Sequence, residues 1–325
     1  MVIRKYWIKV IYKIIIVIIV VGLCSVPFIW NDWFFETHTA ISEKLKYVGA
    51  FLGGIFVAVN AYFIYERANE LNRSNNLVAK GQLDTRFKDA ATLLAAGNTS
   101  SELSGIHALH QIAIEASKTK DQRDYVKVIK DILITFIKEN SVIEYKKNEN
   151  GKILYDEYND PIVEAHNTKS KIVLQTIIDK LFRENEWEIY AKYSTDLTRT
   201  VLNGINFYKA QLQNAEFYEA QLHNARFLET QLQNASFWRT QLHCVGFLEA
   251  KLQGAYFRGA RLQGVYFRGA QLQGTSLEDA KYIDKAHFKY TRWNEKTNFN
   301  CTAFENKTIE ELTKIMGNSP ISLDK

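Results

Sequence analysis

Residues 203–282 read in tens as NGINFYKAQL, QNAEFYEAQL, HNARFLETQL, QNASFWRTQL, HCVGFLEAKL, QGAYFRGARL, QGVYFRGAQL and QGTSLEDAKY. From Leu202 to Leu277 every fifth residue is Leu or Phe, sixteen positions without exception. Two residues before each stands a small or β-branched side chain, as at Ala210, Ala215, Thr230, Thr240 and Val245. A fixed internal period sets the architecture before any local propensity does. Neither regular element fits a period of five. Each repeat would turn a helix by about 500°, scattering the Leu and Phe around its circumference. A flat strand would place successive members on opposite faces, because five is odd. A chain that turns a corner every five residues solves both problems: each Leu or Phe points inward and each small residue packs beside it. Asn214, Asn224 and Asn234, then Gly254, Gly264 and Gly274, recur at the corner after each Leu. Asn and Gly are the residues that tolerate left-handed backbone there.

The A-x-[LF]-x-x pattern resembles the pentapeptide-repeat family from Thr195 to about Phe304. The resemblance implies a right-handed quadrilateral β-helix with four repeats, or twenty residues, in each coil. Its core would be Leu212, Phe217, Leu222, Phe227, Leu232, Phe237, Leu242, Phe247, Leu252, Phe257, Leu262, Phe267 and Leu272. Central residues from Leu197 to Tyr282, followed by Phe288, Trp293, Phe299 and Phe304, make twenty-two repeats. Two of the last spacings are six residues, which predicts bulged coils. Open coil edges recruit strands, so both ends need caps. Ile172–Trp187 is placed to cover the first coil, and Thr308–Met316, with a Thr308-to-Glu311 capping box, to close the last. Such a cap argues for single rods over end-to-end dimers.

With twenty residues per coil, positions twenty apart share a column. Gln213, Gln233, Gln253 and Gln273 then stack as an amide ladder, and His223 stacks on His243. Tyr218, Trp238, Arg258 and Glu278 form another column. Exposed Trp, Tyr and Arg have the composition of a binding hot spot, so this column is the expected partner surface. Arg268, with Tyr266 and Arg226, gives other sides a weaker version of the same character.

Ahead of the repeat the composition changes. Residues 14–30 and 47–65 are runs without a charge. Each approaches the ~20 residues that span a bilayer as a helix. Arg4, Lys5, Lys9 and Lys13 precede the first run, and Asp32, Glu36 and Glu43 lie between the two. The positive-inside rule then places both termini in the cytoplasm. Gly49, Gly53 and Gly54 provide a small-residue face for helix packing, and Asn60 is a polar residue seeking a partner within the second run. Amphipathic helices follow to about Asn140, broken at 96–99 with a helix start expected at Ser101, and resemble a HEAT-like pair. His107 and His110 stand three apart with no nearby acid or cysteine to complete a metal site, so neither is expected to bind an ion. Residues 145–170 are polar and aperiodic, expected as a linker.

The expected organisation is a transmembrane hairpin over 1–66, a helical region over 67–144, a linker over 145–170, a capping helix over 171–192, the β-helix over 193–305 and a C-terminal cap over 306–325. Two membrane helices followed by the 83–113 segment (LDTRFKDAATLLAAG…GIHALHQIA) also resemble a membrane-anchored subgroup of the same family. That implies a bacterial cytoplasmic-membrane protein.

A formal net charge of +5 is too weak to argue for nucleic acid. Residues 201–280 hold seven Lys/Arg and six Asp/Glu, the wrong sign for an acidic DNA mimic. Cys24, Cys244 and Cys301 are odd in number and widely spaced, which fits neither a disulfide framework nor a zinc site. The catalytic motifs are absent, so the expectation is no enzyme, no cofactor and no metal. The sequence points to a membrane-tethered scaffold for an unknown cytoplasmic protein. The alternative is a membrane-perturbing effector of a bacterial defence system, self-associating through its membrane helices.

Overall fold

The computed structural model describes residues 38–157, 162–300 and 307–317. Contacts divide the chain into two compact units, Met1–Ala79 and Lys80–Lys325. Helix α1, His38–Leu94, begins in the first and ends in the second. The first apolar run, 14–30, lies outside the described residues. The second, 47–65, is helical, and several of its side chains lie outside them too. Among the described residues no helix is long and apolar enough to cross a membrane. Leu52, Phe56, Val57 and Ile64 of α1 are all more than half exposed, and Asn60 is exposed too. A β-carbon added at Gly49, Gly53 or Gly54 would meet no described atom within 4 Å.

The second unit opens with the end of α1, then α2 (Thr99–Ser117) and α3 (Asp124–Glu139). Gly97 takes φ 77° to end α1, and Asn98 caps α2 by accepting from Ser101 N at 2.9 Å. The cap therefore sits three residues before the expected Ser101, because an Asn side chain caps as well as a Ser. Leu83, Ala90 and Leu94 of α1 pack on a core of Ile106, Leu109, Ile112, Ile129 and Leu133. Gly105 permits the crossing: an added Cβ would sit 2.5 Å from Leu94 N and 2.8 Å from Ala90 O.

The 145–170 segment, expected as a linker, is instead the body of a hairpin. Strands β1 (Ser141–Tyr145) and β2 (Val163–Asn167) pair antiparallel, with Ser141 opposite Asn167, and an inner bridge joins Lys147 to Ile153. The ladder continues outward through Lys146 N to Ile162 O at 2.8 Å and Leu154 N to Lys146 O at 2.8 Å. Helix α4 (Lys171–Phe182) and the single turn α5 (Glu188–Ala191) follow, so the expected 171–192 cap is two helices with a turn between.

From Asp196 the chain winds as expected from its period. Parallel bridges link every fifth residue to the one twenty later, from Asp196↔Glu216 to Arg261↔Lys281, with four bridges per coil. The register slips to Tyr266↔His287 and Ser276↔Asn298 where the six-residue spacings fall. There the expected core residue Tyr282 turns aside at φ 57° and Ile283, in a 3-10 turn, is buried instead. The named Leu and Phe residues are all 0–1% exposed. They sort by wall: Phe207, Phe227, Phe247 and Phe267 stack face to face at 4.5 to 5.3 Å. Opposite them Phe217, Phe237 and Phe257 stack at 4.9 and 4.8 Å. The two stacks meet edge to face, with Phe227–Phe237 centroids 6.0 Å apart, the arrangement that ring quadrupoles favour.

From Arg199 to Asp279 every corner is left-handed, not only those after Leu. After each Phe, Lys209, Glu219, Glu229, Arg239 and Glu249 hold φ between 52 and 57°. A side chain there costs about 1–2 kcal/mol. The corner is closed by bonds such as Ala220 N to Phe217 O at 3.0 Å, and its own N–H reaches the next coil, Glu219 N to Trp238 O at 3.1 Å. The expected Gln column is not bonded along its length: Gln213 donates sideways to Gln211 and Gln233 to Gln231, at 3.1 and 3.2 Å. This leaves the Oε1 atoms of Gln233, Gln253 and Gln273 buried without a hydrogen-bond partner.

Both ends are covered as their sequences suggest. The first coil is met by α4, α5 and the hairpin. Val201 N donates to Ser141 Oγ at 2.9 Å, Gln211 N to Phe182 O at 2.9 Å, and Arg183 Nε to Tyr208 O at 2.8 Å. Lys130, 2% exposed, donates to Tyr193 O at 2.7 Å and Thr195 Oγ1 at 2.8 Å where the coil begins. At the far end α6 (Ile309–Met316) carries the full Thr308–Glu311 capping box. Tyr290 N donates to Met316 O at 2.9 Å, docking α6 on the last coil.

Candidate functional site

Trp238 follows Phe237, so when the phenyl ring enters the core the indole is turned out at the corner, 44% exposed. Twenty residues earlier Tyr218 leans on it with ring centroids 4.9 Å apart. Arg239 lies over the indole at 5.7 Å. Arg258, the next residue in the column, reaches Glu278 at 3.6 Å and Asp279 at 3.5 Å. The corner positions beside this column alternate in charge, Arg199, Glu219, Arg239, Gly259, Asp279, and Arg199 pairs with Glu219 at 3.5 Å. Its hydrogen bond to the Glu219 carboxylate raises the Tyr218 hydroxyl above the usual phenol range.

This column is one wall of a groove of about 630 Å³. The adjacent wall is Gln221, Gln241, Arg261 and Lys281, and the hairpin closes one side with Ile143, Tyr145 and Val163. The hairpin is pinned there by Asp156, which pairs with Arg261 at 2.6 Å and accepts from Tyr282 Oη at 3.3 Å. Burial and the nearby Asp156 push the Tyr282 hydroxyl up to about 12. The lining holds five cations, Arg199, Arg239, Arg258, Arg261 and Lys281, against Glu219 and Asp279. With Asp156 and Glu278, which pair with Arg261 and Arg258, counted as well, the groove keeps only a slight positive excess beside its aromatic rings.

Over 200–277 the chain matches the family model described as a pentapeptide repeat region. Residues 200–277 are a pentapeptide-repeat region. A pentapeptide repeat protein from the Arabidopsis thaliana thylakoid lumen is 21% identical over 38% of this chain and 81% of its own length, with a TM-score of 0.32. HetL of the cyanobacterium Nostoc, involved in heterocyst differentiation regulation, is 18% identical over 34% of this chain and 68% of its own, with a TM-score of 0.21. QnrB1, a plasmid-mediated fluoroquinolone resistance protein, is 20% identical over 33% of this chain and 59% of its own, with a TM-score of 0.21. No match is found among curated proteins.

Within the pentapeptide-repeat region, the structure gathers Tyr218, Trp238 and Arg258 on one face and sets Arg268 apart. Arg268 lies in the column of Leu228 and Leu248, over the Tyr290 ring at 5.8 Å. Arg239, Arg261 and the hairpin residues join the groove without having been expected there. Arg239 and Arg261 are the corner and strand neighbours of the Trp238 column and follow from the same twenty-residue register. The hairpin wall is invisible until the 145–170 segment is seen to fold back.

His223 and His243 stand one above the other with ring centroids 5.9 Å apart. Burial first, then His243 and Arg261, lower the His223 imidazole below its usual range, and its Nε2 lies 3.0 Å from Gln221 Oε1. His107 and His110 do not act together: His107 is exposed and His110 is 1% exposed. Among the described residues, metal-ligand spacing is found instead at His110, Glu184 and Glu186.

Proposed function

We propose that this protein is a non-enzymatic scaffold, tethered to a membrane, whose pentapeptide-repeat region binds an acidic segment of a protein partner along the groove beside Trp238. The arginine-rich lining around one exposed indole carries this reading: it combines a hot-spot aromatic with guanidinium groups, in slight positive excess, on a rigid wall. Coil-to-coil hydrogen bonds fix the groove, so a partner meets it already formed and little conformational entropy is lost on binding. Tethering is supported by the apolar side chains that α1 leaves exposed over Leu52 to Ile64, and by the charge-free run at 14–30. Two such helices with basic residues ahead of the first would leave the β-helix in the cytoplasm.

A second reading rests on Gly49, Gly53 and Gly54. No described residue covers this small-residue face, and such faces allow helix backbones to approach closely. In this reading the membrane helices self-associate and perturb the bilayer. One experiment separates the two. Gly49→Leu with Gly53→Leu disables an effector and spares a scaffold. Trp238→Ala with Arg258→Ala does the reverse, measured by partner capture from membranes beside dye leakage in cells.

A further inference from the structure

His110 lies in α2, almost wholly buried, and its two ring nitrogens have different surroundings. Nδ1 is 3.0 Å from Tyr190 Oη, and the two rings stack with centroids 5.9 Å apart. Nε2 is buried without a hydrogen-bond partner. It faces Glu186, whose Oε2 is 4.0 Å away, beyond hydrogen-bonding reach. Glu184 stands beside it, and one donor atom from each of the three residues falls within 4.8 Å of the others. Both carboxylates belong to the turn between α4 and α5, which Glu184 N to Asp179 O and Trp187 N to Glu184 O hold at 2.9 and 3.0 Å.

A neutral imidazole that donates Nδ1–H to Tyr190 presents Nε2 as a bare lone pair aimed at carboxylate oxygens. Lone pairs gathered around a common point are stabilised by a cation between them. We propose that His110, Glu184 and Glu186 bind a divalent transition-metal ion of the Zn²⁺ class, which ties α2 to the turn leaving the capping helix α4. One imidazole and two carboxylates, with water in a fourth position, form an N/O donor set suited to such an ion. The Tyr190 hydroxyl would orient the ligand ring from behind, as an outer-shell partner does. Bonds of ~2.0–2.2 Å require the donors to close by about 1 Å. The glutamates can supply that movement, being 41% and 44% exposed on a turn. Lys180, the present ion partner of Glu184, must release it.

The test uses the full chain, purified in detergent and stripped by chelator, titrated with ZnCl₂ alone by calorimetry and followed by thermal unfolding. The expected result is one saturable equivalent per chain and a raised Tm. Glu184→Gln with Glu186→Gln should weaken binding at least ~10-fold and abolish the Tm rise. The rise is read against each variant's own metal-free Tm, because Glu184→Gln also removes the ion pair with Lys180. His107→Gln and Cys244→Ser, at exposed residues outside the cluster, should leave binding intact. Absence of saturable binding overturns the proposal. So does binding that survives the double Gln change, which would place the ion elsewhere.

Discussion

The side-chain amide of Gln175 holds both backbone groups of Asn206, accepting its N–H at 2.9 Å and donating to its carbonyl at 2.8 Å. These are the groups that a preceding coil would have paired, so one Gln on α4 takes the place of a missing strand. Val201 is treated alike, its N–H going to Ser141 and its carbonyl accepting from Asn167 Nδ2 at 3.3 Å. Edge groups left open invite pairing with another chain.

Gln175→Leu keeps a side chain of similar length but leaves two half-buried backbone groups unpaired. The expected loss is roughly 2 kcal/mol or more. Self-association on size-exclusion chromatography should accompany it. An unchanged denaturation midpoint would mean that water satisfies Asn206 equally well.

The phenylalanine stacks predict a graded core response. Phe237 has parallel neighbours in Phe217 and Phe257 and edge contacts to Phe227 and Phe247. Phe237→Ala should cost about 3–5 kcal/mol, the usual penalty for a cavity of this size. Phe237→Leu should cost much less, because Leu277 already ends that column. The comparison is of midpoints in urea, since solenoids need not unfold in a single step.

Stability should fall on mild acidification. Burial lowers His110 and His223 from the ordinary value of 6.5. Around His110, Lys180 and His107 act in the same direction, while Glu184 and Glu186 oppose them. With folded-state values below the unfolded one, the unfolded chain binds more protons in the interval between them. The stability is therefore complete above pH 6.5 and declines as pH drops below it. Tm of the metal-free protein should decrease from pH 7.5 to 5.5, and the decrease should be smaller in His110→Gln with His223→Gln. A flat Tm over that range would contradict the burial of both rings.

Reversing charge in the groove should weaken partner binding without unfolding the wall. Arg239 and Arg258 are surface side chains, and Arg258 is 56% exposed. Arg239→Glu with Arg258→Glu should leave Tm within a few degrees. Binding should lose about 2 kcal/mol, or roughly thirtyfold in Kd. The loss should shrink in high salt, because screening already weakens the native attraction.

The sequence discloses the β-helix because one demand repeats: Leu or Phe every fifth residue has a single packing solution. The same register places Trp238 over Tyr218 and thus reveals half of the groove. The other half escapes for a physical reason. Residues 146–152, KKNENGK, are charged, and the strands around them are five residues each, too short for alternation to stand out. Their order comes from long-range contacts, Asp156 with Arg261 and Asn167 with Val201, that no local pattern encodes. His110 is a similar case. Sequence spacing paired it with His107, whereas its neighbours Glu184 and Glu186 arrive only when α4 and α5 fold against α2.

The most direct test of the scaffold account replaces Trp238 with a photo-crosslinking amino acid in the full chain and irradiates intact cells. The account predicts a discrete adduct with one acidic protein segment, identified by mass spectrometry, lost with Arg239→Glu and Arg258→Glu, and absent when the crosslinker stands at Tyr266 on the opposite wall. Adducts only with other copies of this chain, or equal labelling from both positions, would contradict it.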